Sequence, residues 1–224
     1  MTAPTTNTAS TAPTISAAIR SQIWQTLATY FSPPDKELWE QALKEGSFVD
    51  LDKAVGLLPG GTIHSSRDYE FECDMSFDVL HQAYSSCFEV GNAPVSFHER
   101  AYTNDAANKL FEELFRYYEF FGLDLKNNSN THWPDSLLVE LDFMHYLSYL
   151  ESIATNEENI LSLQRGQRDF LKRHLCPLVT GISDQLAVMN IIPYMQLSIL
   201  AKNFALQDKN YLARIVDSPI LATS

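Results

Sequence analysis

Hydrophobic positions recur along the chain with helical spacing, most densely in the segment from Trp133 to Ile153. Pro134, Asp135 and Ser136 suit a helix start, because proline needs no N–H partner there and Asp or Ser can cap that end. One broad face is then apolar: Leu138, Val139, Phe143, Tyr146, Leu147, Leu150 and Ile153. The other side mixes apolar and polar residues: Leu137, Leu141, Met144, Glu140, Ser148 and Glu151. A helix apolar on nearly all sides lies between other helices, so we predict the central helix here.

The rest of the chain repeats this spacing between breaks rich in Pro, Gly and Asn. The predicted helices run over 15–31, 36–43, 48–58, 66–90, 104–121, 160–175, 187–189 and 199–204, with Pro193 interrupting between the last two. Neither an alternating strand pattern nor a solenoid-type repeat is found. The pattern therefore predicts an all-α, single-domain bundle of about eight to ten helices over residues 15–217.

The ends of the chain differ from this domain. Residues 1–14 are rich in Thr, Ala, Pro and Ser without a charged side chain, which predicts a disordered tail, and residues 218–224 form a second short tail. The first residues do not resemble a secretory signal, and no apolar run is long enough to predict a membrane span.

Net charge narrows the class of partner, and cysteine content indicates the redox environment. The 224 residues carry a formal net charge of −12, which argues against a nucleic-acid or anionic-membrane binder and favours a basic protein or peptide. The three cysteines form no CxxC pair, so neither a disulfide framework nor a zinc knuckle is indicated. This cysteine usage fits a reducing cytoplasm.

Two D-x-x-H pairs are the strongest candidates for metal chemistry. Asp78 with His81, and Asp142 with His145, would each place two ligands on one side of a helix, as in di-iron carboxylate bundles. Asp142 and His145 also fit a buried hydrogen-bonded pair. A Cys87 nucleophile stays open, although a small core side chain is favoured at that helical position. The sequence contains no G-x-S-x-G, H-E-x-x-H, P-loop or G-x-G-x-x-G motif, so we expect neither an enzyme nor a bound cofactor.

Four motifs in order carry a family resemblance. They are Tyr84-Ser-Ser-Cys-Phe88, Pro94 with the aromatic and charged segment to Tyr102, Trp133-Pro134-Asp135 leading into Glu140-Leu-Asp-Phe-Met144, and Phe170-Leu-x-x-His174-Leu-x-Pro177. Together they resemble the TorD/DmsD/NarJ family of cytoplasmic chaperones for molybdoenzymes of the dimethyl sulfoxide reductase superfamily. The Phe88–Pro94 stretch is most similar to the type II branch. Ser136 stands where family members often have His, and Leu178 stands where they have Trp.

The resemblance implies a partner and a site. Such chaperones bind the apo catalytic subunit, often its twin-arginine signal peptide, until the molybdenum cofactor is inserted; cofactor-biosynthesis proteins are further candidate partners. A peptide with two arginines and an apolar stretch calls for carboxylates beside aromatic surface. The expected client-binding residues lie mainly in helix breaks: Tyr84, Phe88, Pro94, Phe97, Glu99, Tyr102, Trp133, Pro134 and Asp135.

Within that set, Glu99 and Asp135 are the expected partners of client arginines, as partly exposed carboxylates in breaks between helices. A second group is expected to support the site structurally: Glu140, Asp142, Phe143, Met144 and His174. Glu140 and Asp142 should satisfy backbone N–H groups or neighbouring side chains near the helix start. The di-iron protein stays open as the alternative, as does a scaffold of the same fold that binds a folded partner.

Overall fold

The computed structural model describes residues 12–45, 51, 76–89, 93–123 and 133–217. Its helices are α1 (Ala12–Phe31), α2 (Lys36–Glu45), α3 (Phe77–Phe88), α4 (Ala107–Phe120), α5 (Leu137–Ile153), α6 (Glu157–Phe170), α7 (Cys176–Met189) and α8 (Ile192–Asp217). Within these ranges the β structure is limited to one isolated antiparallel bridge between His98 and Ser136. The predicted all-α class is therefore confirmed. Apart from Leu51, the helix predicted over 48–58 and the first part of the one predicted over 66–90 lie outside the described residues.

The helices after α5 differ from the sequence prediction. Helix α6 ends at Phe170, and a five-residue π-helical turn, Leu171–Leu175, joins it to α7, so the chain stays helical beyond the predicted end at residue 175. Pro177 lies in the first turn of α7, directly after that π-helical turn. The break falls at Asn190, whose φ of 53° ends α7, and Pro193 belongs to the start of the 26-residue helix α8.

Helix α5 packs along α1 and also against α6, as expected of a central helix. Its most buried side, however, is the mixed one: Leu137, Glu140, Leu141, Met144, Ser148 and Glu151. On the broad apolar face, Leu138, Val139, Tyr146 and Leu150 are only partly buried and Ile153 is exposed. The pattern predicted a helix enclosed on nearly all sides and did not show that the mixed side is the more buried one. That side can be buried because Ser148 and Glu151 have polar partners inside the bundle.

A buried polar network joins α1, α5, α6 and α8. The Nε of the fully buried Arg20 donates to Asp208 Oδ1 at 2.5 Å, and its Nη1 donates to Glu151 Oε2 at 2.8 Å. The remaining nitrogen, Nη2, donates to Gln167 Oε1, and Gln167 Nε2 donates in turn to Glu151 Oε2 at 2.8 Å. Trp24 Nε1 donates to Asp208 Oδ2 at 3.3 Å. These bonds satisfy the charged groups that the four helices bury together.

Candidate functional site

The two irregular segments of the expected site, 93–106 and 133–136, are joined through their backbones. Glu99 N–H donates to the Asp135 carbonyl at 2.9 Å, and Leu137 N–H donates to the Phe97 carbonyl at 2.7 Å. The Tyr118 hydroxyl of α4 donates to the Pro134 carbonyl at 2.7 Å. The segments therefore form one unit held against the first turn of α5.

Asp135 lies inside this unit, with no solvent exposure. Its Oδ1 is 3.2 Å from His98 Nδ1, and its Oδ2 accepts the Arg100 backbone N–H at 3.3 Å. The Arg100 Nε also lies 3.3 Å from Oδ2. The expectation of an exposed carboxylate at this position is wrong, because a helix break that pairs with another segment buries its polar groups.

The outer surface above Asp135 is an arginine–aromatic cluster made by Arg100, Phe111 and Trp133. The Arg100 guanidinium carbon lies 4.9 Å from the Trp133 ring centroid and 5.4 Å from that of Phe111. The two rings are 5.8 Å apart and inclined by 25°. Trp133 is 55% exposed, so this cluster offers aromatic surface to solvent. Arg100 and Phe111 were not among the expected site residues, although Arg100 lies within the motif that runs from Pro94 to Tyr102.

Glu99 is the second expected arginine partner, and it too is buried, with 3% exposure. Its carboxylate oxygens are 3.1 and 3.2 Å from Nδ1 of His174, which lies in the π-helical turn. The other ring nitrogen of His174 is 3.7 Å from Glu113 Oε1, and Glu113 pairs with Arg173. The expectation of exposure is therefore wrong for Glu99 as well.

Glu140 brings a third acid into the same interior. It is fully buried, and neither of its carboxyl oxygens accepts a hydrogen bond from a donor in the described part of the chain. Burial, and then the charges of Glu99 and Asp135, raise the pKa of Glu140 well above its ordinary value. The protonated form can share its hydrogen with Glu99. Of the two kinds of partner expected for Glu140, backbone N–H groups or neighbouring side chains, the structure offers a neighbouring side chain, Glu99.

The remaining expected support residues divide between core and surface. Phe143 and Met144 are buried in the core, whereas Asp142 is exposed on α5. The mixed side of α5 faces inward, and Asp142 lies on the side that faces solvent.

Most of the expected aromatic residues pack internally. The Phe88 and Phe97 rings stack at 4.2 Å, and Tyr84 and Tyr194 pack edge-on against them. The Tyr102 ring lies against Gly181, where a Cβ would come within 2.2 Å of a ring carbon, and its hydroxyl is 2.8 Å from the Ser96 carbonyl. Pro134 is buried as well. Of the expected client-binding residues, only Trp133 and Pro94 are exposed.

The di-iron alternative is wrong for the residues it named. Asp78, His81 and Asp142 are exposed, and His145 Nδ1 is 2.9 Å from the Ser21 hydroxyl of α1. Across the described ranges, no three His, Cys, Asp or Glu side chains are grouped so that they could hold a metal ion. Burial raises the pKa of the Cys87 thiol to about 11, which suits a core side chain and not a nucleophile.

An open groove of about 540 Å³ lies between α4 and α6. It is lined mainly by Tyr117, Phe120, Phe121 and Leu161, with arginines at its edges. Phe120 is exposed, so the groove is a second apolar surface besides that of Trp133. None of the described helices combines the length and apolarity needed to cross a bilayer.

Comparison with known proteins gives the class. The sequence model of the family described as nitrate reductase delta subunit matches residues 70–182, half of the chain, so the protein belongs to that family. The selenate reductase assembly chaperone protein of Thauera selenatis is 33% identical over 153 residues, which are 66% of this chain and 67% of that protein.

Two further relatives carry the same kind of name. The chlorate reductase assembly chaperone protein of Ideonella dechloratans is 28% identical over 153 residues, with 66% and 67% of the two chains covered. The perchlorate reductase assembly chaperone protein of Dechloromonas aromatica is 29% identical over 164 residues, with 70% and 72% covered. These relatives are named as chaperones and not as catalysts, which confirms the family resemblance and the prediction that the chain is not an enzyme.

Proposed function

We propose that the protein is an assembly chaperone for the catalytic subunit of a molybdenum-containing reductase of the dimethyl sulfoxide reductase superfamily. The observation that carries this proposal is the family match over residues 70–182, because that range contains every residue of the expected site. The names of the selenate, chlorate and perchlorate relatives support the same client class.

The proposed ligand is the N-terminal signal region of the apo subunit, bound in the cytoplasm before cofactor insertion and export. Such a segment combines arginines with an apolar stretch. The half-exposed Trp133 offers aromatic surface for the apolar part, and the groove at Phe120 offers a second such surface. The net charge of −12 favours approach of a basic segment. Apolar contacts should contribute more to affinity than partly exposed charge pairs, which contribute about 1 kcal/mol or less each.

The function is tested by deleting the gene and measuring the molybdenum content and activity of the molybdenum-containing reductases of the same organism. Loss of cofactor-loaded reductase, restored by the wild-type gene, is the expected result. Unchanged molybdenum content in the deletion strain would refute the chaperone role.

The site is tested with Trp133→Ala, and Tyr149→Ala is the matched control because Tyr149 is an equally exposed aromatic residue further along α5. Trp133→Ala should weaken binding of the client's N-terminal peptide in calorimetry, with unfolding unchanged, while Tyr149→Ala should bind normally. Equal affinity of both variants would place the site elsewhere. Undiminished binding of a client lacking its N-terminal segment would instead point to a scaffold that recognises the folded subunit.

A further inference from the structure

Arg100 already makes the contacts that an arginine of a partner would make. Its Nε lies 3.3 Å from the Asp135 carboxylate, and its guanidinium lies over the rings of Trp133 and Phe111. A carboxylate beside aromatic faces is the environment that suits the planar guanidinium, which pairs and stacks at the same time. The cluster is therefore a guanidinium-binding site whose present occupant belongs to the same chain.

Several features make this occupant replaceable. The Arg100 side chain is about a third exposed, and its contact with Asp135 runs through Nε at 3.3 Å and not through a two-pronged pair. Asp135 does not depend on that side chain alone, because the Arg100 backbone N–H and the His98 ring also contact its carboxylate. Trp133 remains half open to solvent on the same surface. The guanidinium can therefore leave without stranding a buried, unpartnered charge.

We propose that Arg100 is an internal competitor in a guanidinium site, and that an arginine side chain of a basic peptide displaces it on binding. The identification of that peptide with the client's signal region rests on the proposed function; the site itself does not. A partner that must displace Arg100 binds with an apparent affinity lowered by the fraction of time the site is free. Lysine lacks the planar group that stacks on the rings, so this site should select arginine over lysine.

The test uses acetyl-Arg-Arg-amide as the probe and tryptophan fluorescence as the readout. The chain has three tryptophans, and Trp24 and Trp39 are buried, so Trp133 is the one that a soluble ligand reaches. Arg100→Gln removes the stacked guanidinium and keeps a neutral side chain able to donate to Asp135. The matched control is Arg214→Gln, an exposed arginine on α8. Acetyl-Lys-Lys-amide controls for charge alone.

Arg100→Gln should bind the diarginine probe at least about fivefold more tightly than the wild type, as expected if Arg100 fills the site most of the time. The Arg214→Gln variant should match the wild type, and the dilysine probe should gain little in any variant. Equal or weaker diarginine binding by Arg100→Gln would overturn the proposal. If that variant unfolds below the wild type's melting range, Arg100→Lys is used, and it should also bind the probe more tightly.

This inference can fail separately from the proposed function. If the client peptide binds the wild type while diarginine binds neither the wild type nor the Arg100 variants, the guanidinium site is refuted and the chaperone role stands. If diarginine binding increases as expected but gene deletion leaves the reductase fully loaded with molybdenum, the site stands and the proposed function is refuted.

Discussion

Arg20→Met should be among the most destabilising single substitutions in this fold. Methionine is unbranched and uncharged, so it fills the space of the aliphatic part of Arg20 and leaves Asp208 and Glu151 buried without their cation. Both acids pair with Arg20 at hydrogen-bonding distance, and all three side chains are almost completely shielded from water. The perturbation is therefore the removal of one cation from between two buried anions.

The magnitude follows from those contacts. Hydrogen bonds to charged groups contribute about 1.5–3 kcal/mol each, and Arg20 makes two of them to carboxylates. Breaking a buried ion pair by removing one partner costs about 3–5 kcal/mol. We expect a loss near 4 kcal/mol in the free energy of unfolding, and a fall in melting temperature on the order of 10 °C for a chain of this size.

Urea unfolding at pH 7, followed by circular dichroism at the helical band, measures that loss. Arg116→Met is the control, because Arg116 is highly exposed and lies 3.7 Å from an equally exposed Glu112 on the same helix. Its free energy of unfolding should change by about 0.5 kcal/mol or less. A loss below about 1 kcal/mol for Arg20→Met would refute the reasoning, because the two acids would then be stable without Arg20.

The stability that Arg20→Met loses should depend on pH. Burial raises the pKa of Asp208 above its ordinary value, and Arg20 opposes that rise. Without Arg20 the pKa of Asp208 should rise further. A carboxyl whose folded pKa exceeds its unfolded value costs stability progressively as pH rises above the unfolded value. The deficit of Arg20→Met should therefore be smaller at pH 5 than at pH 8, and adding Asp208→Asn should reduce it at pH 8.

Two further substitutions test the interior beneath the site. Glu140→Gln should stabilise the protein by about 1 kcal/mol at pH 8 and by less at pH 5. The reason is that the pKa of Glu140 is raised in the folded state, so the wild type loses stability as pH rises above about 4.5. An equal effect at both pH values in urea titrations would contradict this. Gly181→Ala should cost about 1–3 kcal/mol, because its methyl group would meet the Tyr102 ring. Combining it with Tyr102→Ala should remove most of the added cost, and a simple sum of the two effects would argue against the clash.

Sequence periodicity was sufficient for the helical class and for the central position of α5, because both depend on how often apolar residues recur. It did not show which side of α5 is the more buried one, since polar residues can be buried with partners from other helices. Arg20 shows the reason: it follows Ile19 within an apolar stretch, and its partner Asp208 lies 188 positions away. A pattern along the chain carries no signal for such a pair.

The motifs grouped the segments around Glu99 and Asp135 into one expected site, and the structure joins these two segments at the start of α5. Client binding there stays a prediction, and the sequence did not reveal that both acids are buried. A helix break usually leaves side chains in water, and that rule placed both acids at the surface. The rule fails at the bridge between His98 and Ser136, because two irregular segments that pair through their backbones enclose the side chains between them. That pairing joins residues far apart in the chain, so local sequence does not reveal it.

Burial of the acids bears on how an acidic chaperone can remain selective. A net charge of −12 attracts basic chains in general, through a field that does not distinguish arginine from lysine. If the recognising carboxylates stood open, every basic segment would find a partner. Here Asp135 lies beneath Arg100, and Glu99 contacts His174. Under the displacement proposal, a basic chain that arrives must replace a stacked guanidinium before it reaches an acid. Long-range charge would then govern arrival, and the arginine–aromatic cluster would govern which chain is retained.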